Sequence, residues 1–470
     1  MSEIVSSPSS VMPTPKRTTK NYAGYVFFVL FCINLLNYVD RYILIGASTV
    51  IAKELHFGID GIGYLASAFL VVSTIAVLPL GVWADRTKRK TVIWVCVAAW
   101  SAITALTGLS WNFASLLITR MGLGIGEAGY GPASGAMLAD YFRQAVRARV
   151  LSWWWTSALI GTTGGIIIGG VVAGLGFGMW RWAFVWTGLA GLLFALLVLR
   201  MREPRRNQAD EETWTTDAAT APHGLSTTPM SVPVRKNPPL HSLLRVKSFV
   251  VLTLVWLLTS FNTGASATYL PTLLQQNDTF AFSSGVAAIY TGIGFAVAGI
   301  TGVVLGGYLS DALRRRFPGA RILICGIGLL ISAPSYALAV FGAISHNLTL
   351  FTIFFLLATL LNQMYIGPSN AAILDVVPSV IRASALAVSG FVAALLGGAF
   401  APSIVGFLAG LFDPTHGQHF LHNSAGQDLT LALLVTCVPC LLIAGIVGIV
   451  GARWVKADML AAERIDKLGS

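Results

Sequence analysis

The sequence predicts an all-α membrane protein with twelve membrane-spanning helices, arranged as two pseudo-symmetric six-helix bundles. Of the 470 residues, 55% are hydrophobic and only 11% are charged, whereas about a quarter of the residues in a soluble protein are charged. Apolar runs of about eighteen residues or more, long enough to cross a bilayer, recur along the whole chain. The two halves also repeat the same short motifs in the same order.

The apolar runs form two sets of six spans, which we number helices 1 to 12. The N-terminal set is expected at 22–52, 59–85, 91–110, 113–141, 148–173 and 181–201. The C-terminal set is expected at 248–274, 284–311, 321–344, 348–375, 381–411 and 428–453. A stretch rich in Pro, Thr and charge separates the sets and is interpreted as a flexible linker. The expected division is a tail at 1–21, an N-terminal bundle at 22–202, the linker at 203–245, a C-terminal bundle at 246–456 and a tail at 457–470.

The basic residues predict the orientation of the chain in the membrane. Most of the 31 lysines and arginines fall in the tails, in the linker and in loops on one side of the expected bundle. Positive charge marks the cytoplasmic side, so both termini are expected in the cytoplasm. Residues 1–21 lack the apolar core of a signal peptide and are expected to be a disordered tail. The expected cytoplasmic segments account for the net charge of +11, so we expect no nucleic-acid partner.

Two pairs of motifs identify an internal repeat. GVWADRTKRK at 81–90 matches GYLSDALRRR at 307–316, and GPASGAMLAD at 131–140 matches GPSNAAILD at 367–375. A duplicated six-helix unit is typical of carriers whose solute site lies between the halves and opens alternately to each side. Charges at the helix ends beside these motifs are expected to form ion pairs that close one conformation and break when it opens. These gating candidates are Asp85, Arg86, Arg89, Asp140, Arg147, Asp311 and Arg315.

Four charged residues lie at membrane depth, Asp40 and Arg41 in helix 1 and Arg120 and Glu127 in helix 4. A charge there costs at least about 2.5 kcal/mol on insertion scales, so each is expected to face a cavity and a partner. Further polar residues follow the same helix faces or lie in the C-terminal half, where Gln363 aligns with Glu127. These substrate-facing candidates are Asn34, Asn37, Tyr130, Ser134, Asn262, Tyr269, Asn362 and Gln363. A second interpretation, in which the four charges only neutralise one another as a staple between helices, stays open.

The buried charges suggest proton coupling as a hypothesis. Each ionised carboxylate would pair with an arginine, and protonation would free that arginine for an anionic group on the substrate. An enzyme would need a nucleophile with its base, or a metal cluster, at one depth in the membrane. The spans offer neither arrangement. We therefore expect a monomeric transporter with no cofactor and no metal, whose partners are a small amphiphilic or anionic substrate, protons and membrane lipids.

The motif at 81–90 resembles that of the major facilitator superfamily. Together with it, NYVDR at 37–41 and RMGLGIGEAGYGPASGAMLADYF at 120–142 resemble the Spinster family, including its bacterial members. The resemblance implies the major facilitator fold and alternating-access transport of a lipid-like amphiphile, such as a lysophospholipid or a sphingoid phosphate. It also implies a functional acid and arginine on helix 1 and an acid on helix 4, which carry over to Asp40, Arg41 and Glu127.

A bacterial cytoplasmic (inner) membrane is the location that this resemblance implies. The N-Y-x-D-R motif also resembles that of a neighbouring branch, the organic-anion:proton symporters. Those proteins take sugar acids and similar carboxylates. A proton-coupled symporter of organic anions is therefore the alternative function.

Overall fold

The computed structural model describes residues 20–204, 240–314, 316–317, 319–378, 381–413 and 425–468. All twelve expected spans fall within these ranges. Residues 1–19 of the expected tail, residues 205–239 of the expected linker and the gating candidate Arg315 lie outside them.

In the described ranges, twelve helical spans follow one another at the expected places. The N-terminal six are α1 (Lys20–Glu54), α2 (Ile59–Arg86), α3 (Arg89–Thr107), α4 (two segments, Phe113–Ala128 and Tyr130–Tyr141), α5 (Gln144–Gly174) and α6 (Trp180–Arg200). The C-terminal six are α7 (Lys247–Leu274), α8 (Ser284–Arg314), α9 (Ala320–Ile344), α10 (two segments, Leu348–Gln363 and Ile366–Val376), α11 (Arg382–Val392, a π-helical turn Ala393–Ala399, and Ala401–Phe412) and α12 (Ala425–Gly451). A 3₁₀ turn, Leu240–Arg245, precedes α7, and a helix α13, Val455–Leu468, follows α12.

The predicted all-helical membrane fold is confirmed. Among the described residues, eleven helices are individually long and apolar enough to span a membrane. The remaining span, α4, is divided at Gly129 into segments of 16 and 12 residues. Neither segment alone has the roughly 20 residues that a bilayer requires, but together they do. The described part of the chain contains no strand, and the chain is an integral multi-pass membrane protein.

The two bundles pair their helices in the same way. In the N-terminal bundle α1 packs along α5 and α3 along α6, and in the C-terminal bundle α7 packs along α11 and α9 along α12. Glycines permit close approach of the backbones, since a Cβ added at Gly161 or Gly165 of α5 would lie 2.5 or 2.6 Å from a backbone oxygen of α1. A Cβ added at Gly264 of α7 would lie 2.7 Å from the Gly398 oxygen of α11. Small residues therefore set the distance between paired helices, as is common in membranes.

The bundle has two sides, which we name by the chain ends. The terminus side carries Lys20, Arg200, Lys247 and Gly451, and the far side carries the opposite ends of the same helices. On the far side the N-terminal and C-terminal halves are packed together. Five hydrogen bonds between described residues join the halves there: Ser48 with Thr272, Tyr269 with Ile59, Ser284 with Gly170, and Ser403 with both Gly63 and Ser67.

Tyr269 of α7 lies at the centre of this far-side seal. Its side chain is fully buried, and its hydroxyl donates to the Pro402 oxygen of α11 at 2.9 Å, with the Ile59 oxygen of α2 at 3.3 Å. A Cβ added at Gly63 or Gly406 would collide with this hydroxyl. The seal therefore depends on one tyrosine that fits between glycines of two other helices.

On the terminus side the helices leave open space. A Cβ added at Gly81 of α2, or at its repeat counterpart Gly307 of α8, would meet no described atom within 4 Å. The same is true of Gly131 and Gly135 on the second segment of α4. The segments Tyr130–Tyr141 and Ile366–Val376 also pack mainly against helices of their own half, so we interpret the space between the halves as open on the terminus side in this conformation.

Candidate transport site

Helices α1 and α4 bring an acid and a base together inside the N-terminal half. Arg41 donates from Nη2 to Oε2 of Glu127 at 2.9 Å, and Asn37 lies beside the same carboxylate. The glutamate side chain is 1% exposed and that of the arginine 23% exposed. The guanidinium centre is 4.9 Å from the ring of Tyr38 and 4.9 Å from that of Phe69. The pair thus connects a buried carboxylate to a cation that reaches open space.

Arg120 of α4 is a buried cation with unused hydrogen-bond donors. The residue is 1% exposed, and among the described residues its Nε and Nη2 atoms have no hydrogen-bond partner. Its guanidinium lies 5.0 Å from the centre of the Phe184 ring on α6, a cation–π contact that gives Nε and Nη2 no hydrogen-bond acceptor. A buried donor without a partner costs about 1–3 kcal/mol, and more on a charged group. This arginine therefore indicates a binding position for an anion.

Asp40 of α1 lies behind this site and is fully buried. Its carboxylate accepts a hydrogen bond from Thr104 of α3 at 3.4 Å, and Thr187 of α6 approaches it. Arg120 and Glu127 are near enough for their charges to act on it. Within the described side chains, however, Asp40 forms no ion pair with either arginine. Asp40 therefore lies within electrostatic range of Arg120 and Glu127 without forming an ion pair.

Arg41 and Arg120 both line a cavity of about 80 Å³ between the two halves. Thr263 and Thr268 of α7 contribute hydroxyl groups from the C-terminal half. Most of the remaining wall is apolar and includes Leu44, Ile45, Leu65, Phe69 and Leu70. A cavity with a cationic part and apolar walls can hold an anionic group together with the start of an apolar chain.

A second cavity, of about 20 Å³, lies within the C-terminal half and shares Thr263 with the first. Its polar lining comes from α7, α9 and α10 and includes Asn262, Thr263, Ser266, Tyr336, Asn362 and Gln363. Asn362 donates from Nδ2 to Oγ1 of Thr263 at 3.2 Å. No charged side chain among the described residues lines this cavity. The N-terminal half thus supplies charge to the site, and the C-terminal half supplies neutral hydrogen-bonding groups.

Besides Asn37, which lies beside Glu127, four of the substrate-facing candidates lie outside both cavities. Asn34 donates to a serine of α5 at 2.8 Å, and Tyr130 donates to a backbone oxygen of α1 at 2.7 Å. Ser134, one turn after Tyr130, is fully buried beside it. Tyr269 belongs to the far-side seal. In this conformation these four side chains hold helices together and do not face the cavities.

On the terminus side, ion pairs fasten the end of one helix to the beginning of another within each half. In the N-terminal half, Arg89 at the start of α3 pairs with Asp140 near the end of α4. In the C-terminal half, Arg321 near the start of α9 pairs with Asp375, the repeat counterpart of Asp140, and with Asp311 at 3.0 Å. We call these contacts the terminus-side ion pairs.

Arg321 is a residue that the sequence analysis missed. Matching the basic triplets of the two repeats pairs Arg89 with Arg315, which lies outside the described residues. The loop between α8 and α9 is longer than the loop between α2 and α3, so the corresponding cation comes several residues later. The sequence contains one signal for Arg321. Asp375 is the repeat counterpart of Asp140, so a cation is expected at the start of helix 9, as Arg89 is at the start of helix 3.

The remaining gating candidates differ in their contacts. Arg147 donates to two backbone oxygens at the end of α4, at 2.7 and 3.4 Å. Its repeat counterpart Arg382 donates to a backbone oxygen after α10, also at 3.4 Å. Both arginines satisfy carbonyl groups at a helix C-terminus, where cations are favoured. Asp85 and Arg86 lie exposed at the end of α2.

The substitution Arg321→Gln is expected to lower the melting temperature of the detergent-purified protein more than Arg314→Gln does. Arg321 is 12% exposed and holds two aspartates, whereas Arg314 is 42% exposed and contacts Asp375 at 3.3 Å. Exposed ion pairs contribute about 0–1 kcal/mol, and buried ones cost more to break. Thermal unfolding monitored by tryptophan fluorescence measures both variants. Equal shifts in melting temperature would show that Arg321 does not fasten α9.

Comparisons with known proteins agree with this architecture. The chain is 30% identical to spinster homolog 1 of Mus musculus over 431 residues, which cover 88% of this chain and 78% of the mouse protein. It is 27% identical to the sphingosine-1-phosphate transporter of Danio rerio over 424 residues, 88% of this chain and 80% of that one. Among solved structures, a bacterial homologue of the human lysosomal transporter Spinster superposes with a TM-score of 0.79 at 24% identity, covering 94% of this chain and 99% of that chain.

Two repeated helical bundles with a charged cavity between them define a membrane transporter. The sequence profile of the Major Facilitator Superfamily matches residues 30–402. The chain belongs to this superfamily and, within it, to the Spinster family. Members of the family are transporters and not enzymes.

Proposed function

We propose that the chain is a proton-coupled secondary transporter that moves an anionic, lipid-like amphiphile by alternating access. The observation that carries the proposal is Arg120, whose buried guanidinium has unpartnered N–H groups at a cavity between the halves. Arg41 lines the same cavity and is paired with Glu127. Two cations with one carboxylate in contact favour an anion as the ligand, because an anion would supply the missing acceptors.

Charge balance supports coupling to protons. The buried cluster consists of Asp40, Arg41, Arg120 and Glu127. When all four are ionised their charges sum to zero, so an entering monoanion leaves one negative charge uncompensated. Such a charge is costly in a medium of low dielectric constant. Uptake of one proton by a carboxylate restores the balance, and anion and proton are therefore favoured to bind together.

Glu127 is the carboxylate that best links protonation to substrate binding. In its ionised form it accepts the hydrogen bond from Arg41 at 2.9 Å. In its protonated form it loses the charge that strengthens this bond, so Arg41 becomes available to the anion beside Arg120. We assign Asp40, which contacts neither arginine, to the charge balance of the cluster and to a second proton-binding position.

The apolar wall of the cavity supports an amphiphile as the substrate. The leucines and the phenylalanine beside the two arginines offer contact to a hydrocarbon chain. Lysophospholipids and sphingoid phosphates combine one anionic group with such a chain, and the Danio rerio relative transports sphingosine-1-phosphate. The neutral polar groups of the second cavity favour a sugar acid or a similar organic anion as the second candidate.

We place the terminus side in the cytoplasm of a bacterial cell, with the chain in the cytoplasmic (inner) membrane. The terminus side carries the basic residues Arg86, Arg89, Arg314 and Arg321, and positive charge marks the cytoplasmic side. The conformation would then be open to the cytoplasm and closed on the far side. One chain contains both halves of the site, which supports a monomer surrounded by membrane lipids.

Transport by the purified protein in liposomes tests this proposal. Labelled 1-oleoyl-glycerol 3-phosphate and labelled gluconate are offered separately, with and without a pH difference of one unit across the membrane. We expect protein-dependent movement of the lipid, accelerated by the pH difference, and none of gluconate. Movement of gluconate alone would establish the organic-anion function instead, and movement of neither, relative to empty liposomes, would contradict the proposal.

A further inference from the structure

Two aromatic rings contact the cation of Arg41 in addition to its carboxylate partner. The guanidinium centre lies 4.9 Å from the ring of Tyr38, one turn earlier on α1, and 4.9 Å from the ring of Phe69 on α2. Both distances fall within the roughly 6 Å of a cation–π contact. Glu127 of α4 supplies the third contact, a hydrogen bond of 2.9 Å. Groups on three helices therefore hold this one cation.

Close packing of α2 against α4 fixes the position of Phe69. A Cβ added at Gly124 of α4 would lie 2.7 Å from the backbone oxygen of Phe69, so a glycine is needed for this approach. Gly124 is about one turn before Glu127 on the same segment. Phe69 is 4% exposed and lines the first cavity together with Arg41. The ring and the carboxylate that hold the arginine are therefore fixed relative to each other.

The ring and the carboxylate differ in how they compete with a ligand. An anion in the cavity competes with Glu127 for the N–H groups of Arg41, because both supply oxygen acceptors. The ring of Phe69 has no oxygen and attracts the cation through the negative charge of its face. It can therefore hold Arg41 while the guanidinium exchanges the carboxylate for an anion.

Without this ring, Arg41 would lose its position once its bond to Glu127 is released. The arginine side chain is 23% exposed and reaches open space, where a long side chain samples several rotamers. An anion would then have to order the arginine as it binds, and that loss of entropy would lower its affinity.

We infer that Phe69, with Tyr38 beside the same cation, is a positioning residue that keeps Arg41 at the cavity for an incoming anion. Leucines share the cavity wall with Phe69, but among apolar side chains only an aromatic one attracts a cation in this way. This inference rests on the proposed function, since it assumes that an anion occupies the first cavity.

Two changes at position 69 that remove the attraction of the ring test this role. Phe69→Leu keeps an apolar wall without a π face, and 3,4,5-trifluorophenylalanine at position 69 keeps the ring but withdraws negative charge from its face. Binding of labelled 1-oleoyl-glycerol 3-phosphate to the full chain in nanodiscs is measured by scintillation proximity, at the pH of tightest native binding. We expect each change to weaken binding about fivefold, the size of ordering one long side chain. Phe69→Tyr should keep the native affinity.

A double-mutant cycle separates positioning of the cation from simple packing. In a chain that carries Arg41→Gln, the further change Phe69→Leu should alter the affinity by less than about twofold, because no cation remains for the ring to hold. Phe249→Leu is the matched control, since Phe249 is a buried phenylalanine, 2% exposed, outside both cavities. That variant should keep the native affinity.

The fluorinated chain decides between the outcomes, because its ring keeps nearly the same shape. An unchanged affinity there, or an equal loss from Phe69→Leu with and without Arg41, would show that Phe69 only packs, and would leave the proposed function intact. A native chain that does not bind the lipid at any pH would overturn the proposed function and this inference with it.

Discussion

Replacement of Arg120 by glutamine is expected to weaken binding of an anionic amphiphile by about 100-fold, while the folded protein becomes no less stable. Loss of a buried charged hydrogen-bond donor to an anion costs about 2–5 kcal/mol, and 100-fold corresponds to about 2.7 kcal/mol. The donors that the substitution removes have no partner in the described protein. Their removal relieves a desolvation cost in the absence of ligand, and uptake of one proton by Asp40 or Glu127 compensates the lost positive charge. Binding of the amphiphile to the protein in nanodiscs measures the affinity, and thermal unfolding without ligand measures the stability.

The staple interpretation of the four charges gives the opposite result. If Arg120 only held helices together, its loss would lower the melting temperature and would change affinity little. Arg181→Gln is the matched control, because Arg181 forms a far-side ion pair with Glu54 and lies outside both cavities. That variant should lose stability and keep its affinity for the lipid. An unchanged affinity in Arg120→Gln would remove the main support for the proposed anion site.

Replacement of Glu127 by glutamine is expected to abolish accumulation driven by a pH difference while exchange of substrate across the membrane continues. A coupled carrier that moves one proton with one monoanion concentrates its substrate about tenfold per pH unit. Glutamine at this position resembles the protonated acid, so Arg41 is permanently released and the accumulation ratio should fall to one. Exchange is measured with liposomes preloaded with unlabelled lipid. Accumulation is measured with liposomes that contain buffer without substrate and have a pH difference across the membrane.

Glu54→Gln controls for the loss of a buried glutamate that is paired with an arginine. Glu54 accepts from Arg181 and from the Trp180 indole at 2.9 Å, far along α1 from the cluster. This variant should still accumulate substrate in response to pH. Asp40→Asn should lose accumulation together with Glu127→Gln. Normal pH-driven accumulation in both Asp40→Asn and Glu127→Gln would refute proton coupling through this cluster.

Much of the fold was predictable from the sequence because lipid imposes a simple rule. A span needs about 20 apolar residues, and every expected span coincides with a helical span to within a few residues. The repeat was predictable because motif pairs such as 131–140 and 367–375 recur at corresponding positions. The division of α4 at Gly129 was not predictable from hydropathy, since apolar residues continue on both sides of it.

The site was harder to predict, because polar residues on one helix face can serve packing or binding. Asn34 and Asn262 are both buried asparagines near the middle of a span. The amide of Asn34 donates to a serine of α5, whereas the amide of Asn262 borders a cavity. Their difference depends on which neighbouring helix lies within reach, and that contact is set by tertiary packing. Arg321 escaped prediction because the lengths of two loops differ.

The divided helices α4 and α10 have a mechanical consequence. Glu127 is the penultimate residue of the first α4 segment, and its repeat counterpart Gln363 is the last residue of the first α10 segment. Asp140 and Asp375 are the penultimate residues of the second segments, and each is paired with an arginine near the start of another helix of the same half, Arg89 or Arg321. A tilt of either second segment would therefore move one surface ion pair and one residue at the binding cavities in a single rigid-body rotation. Of the two joints, only the N-terminal one carries a carboxylate among its described residues, so we expect protonation to bias one pivot and leave its counterpart unaffected.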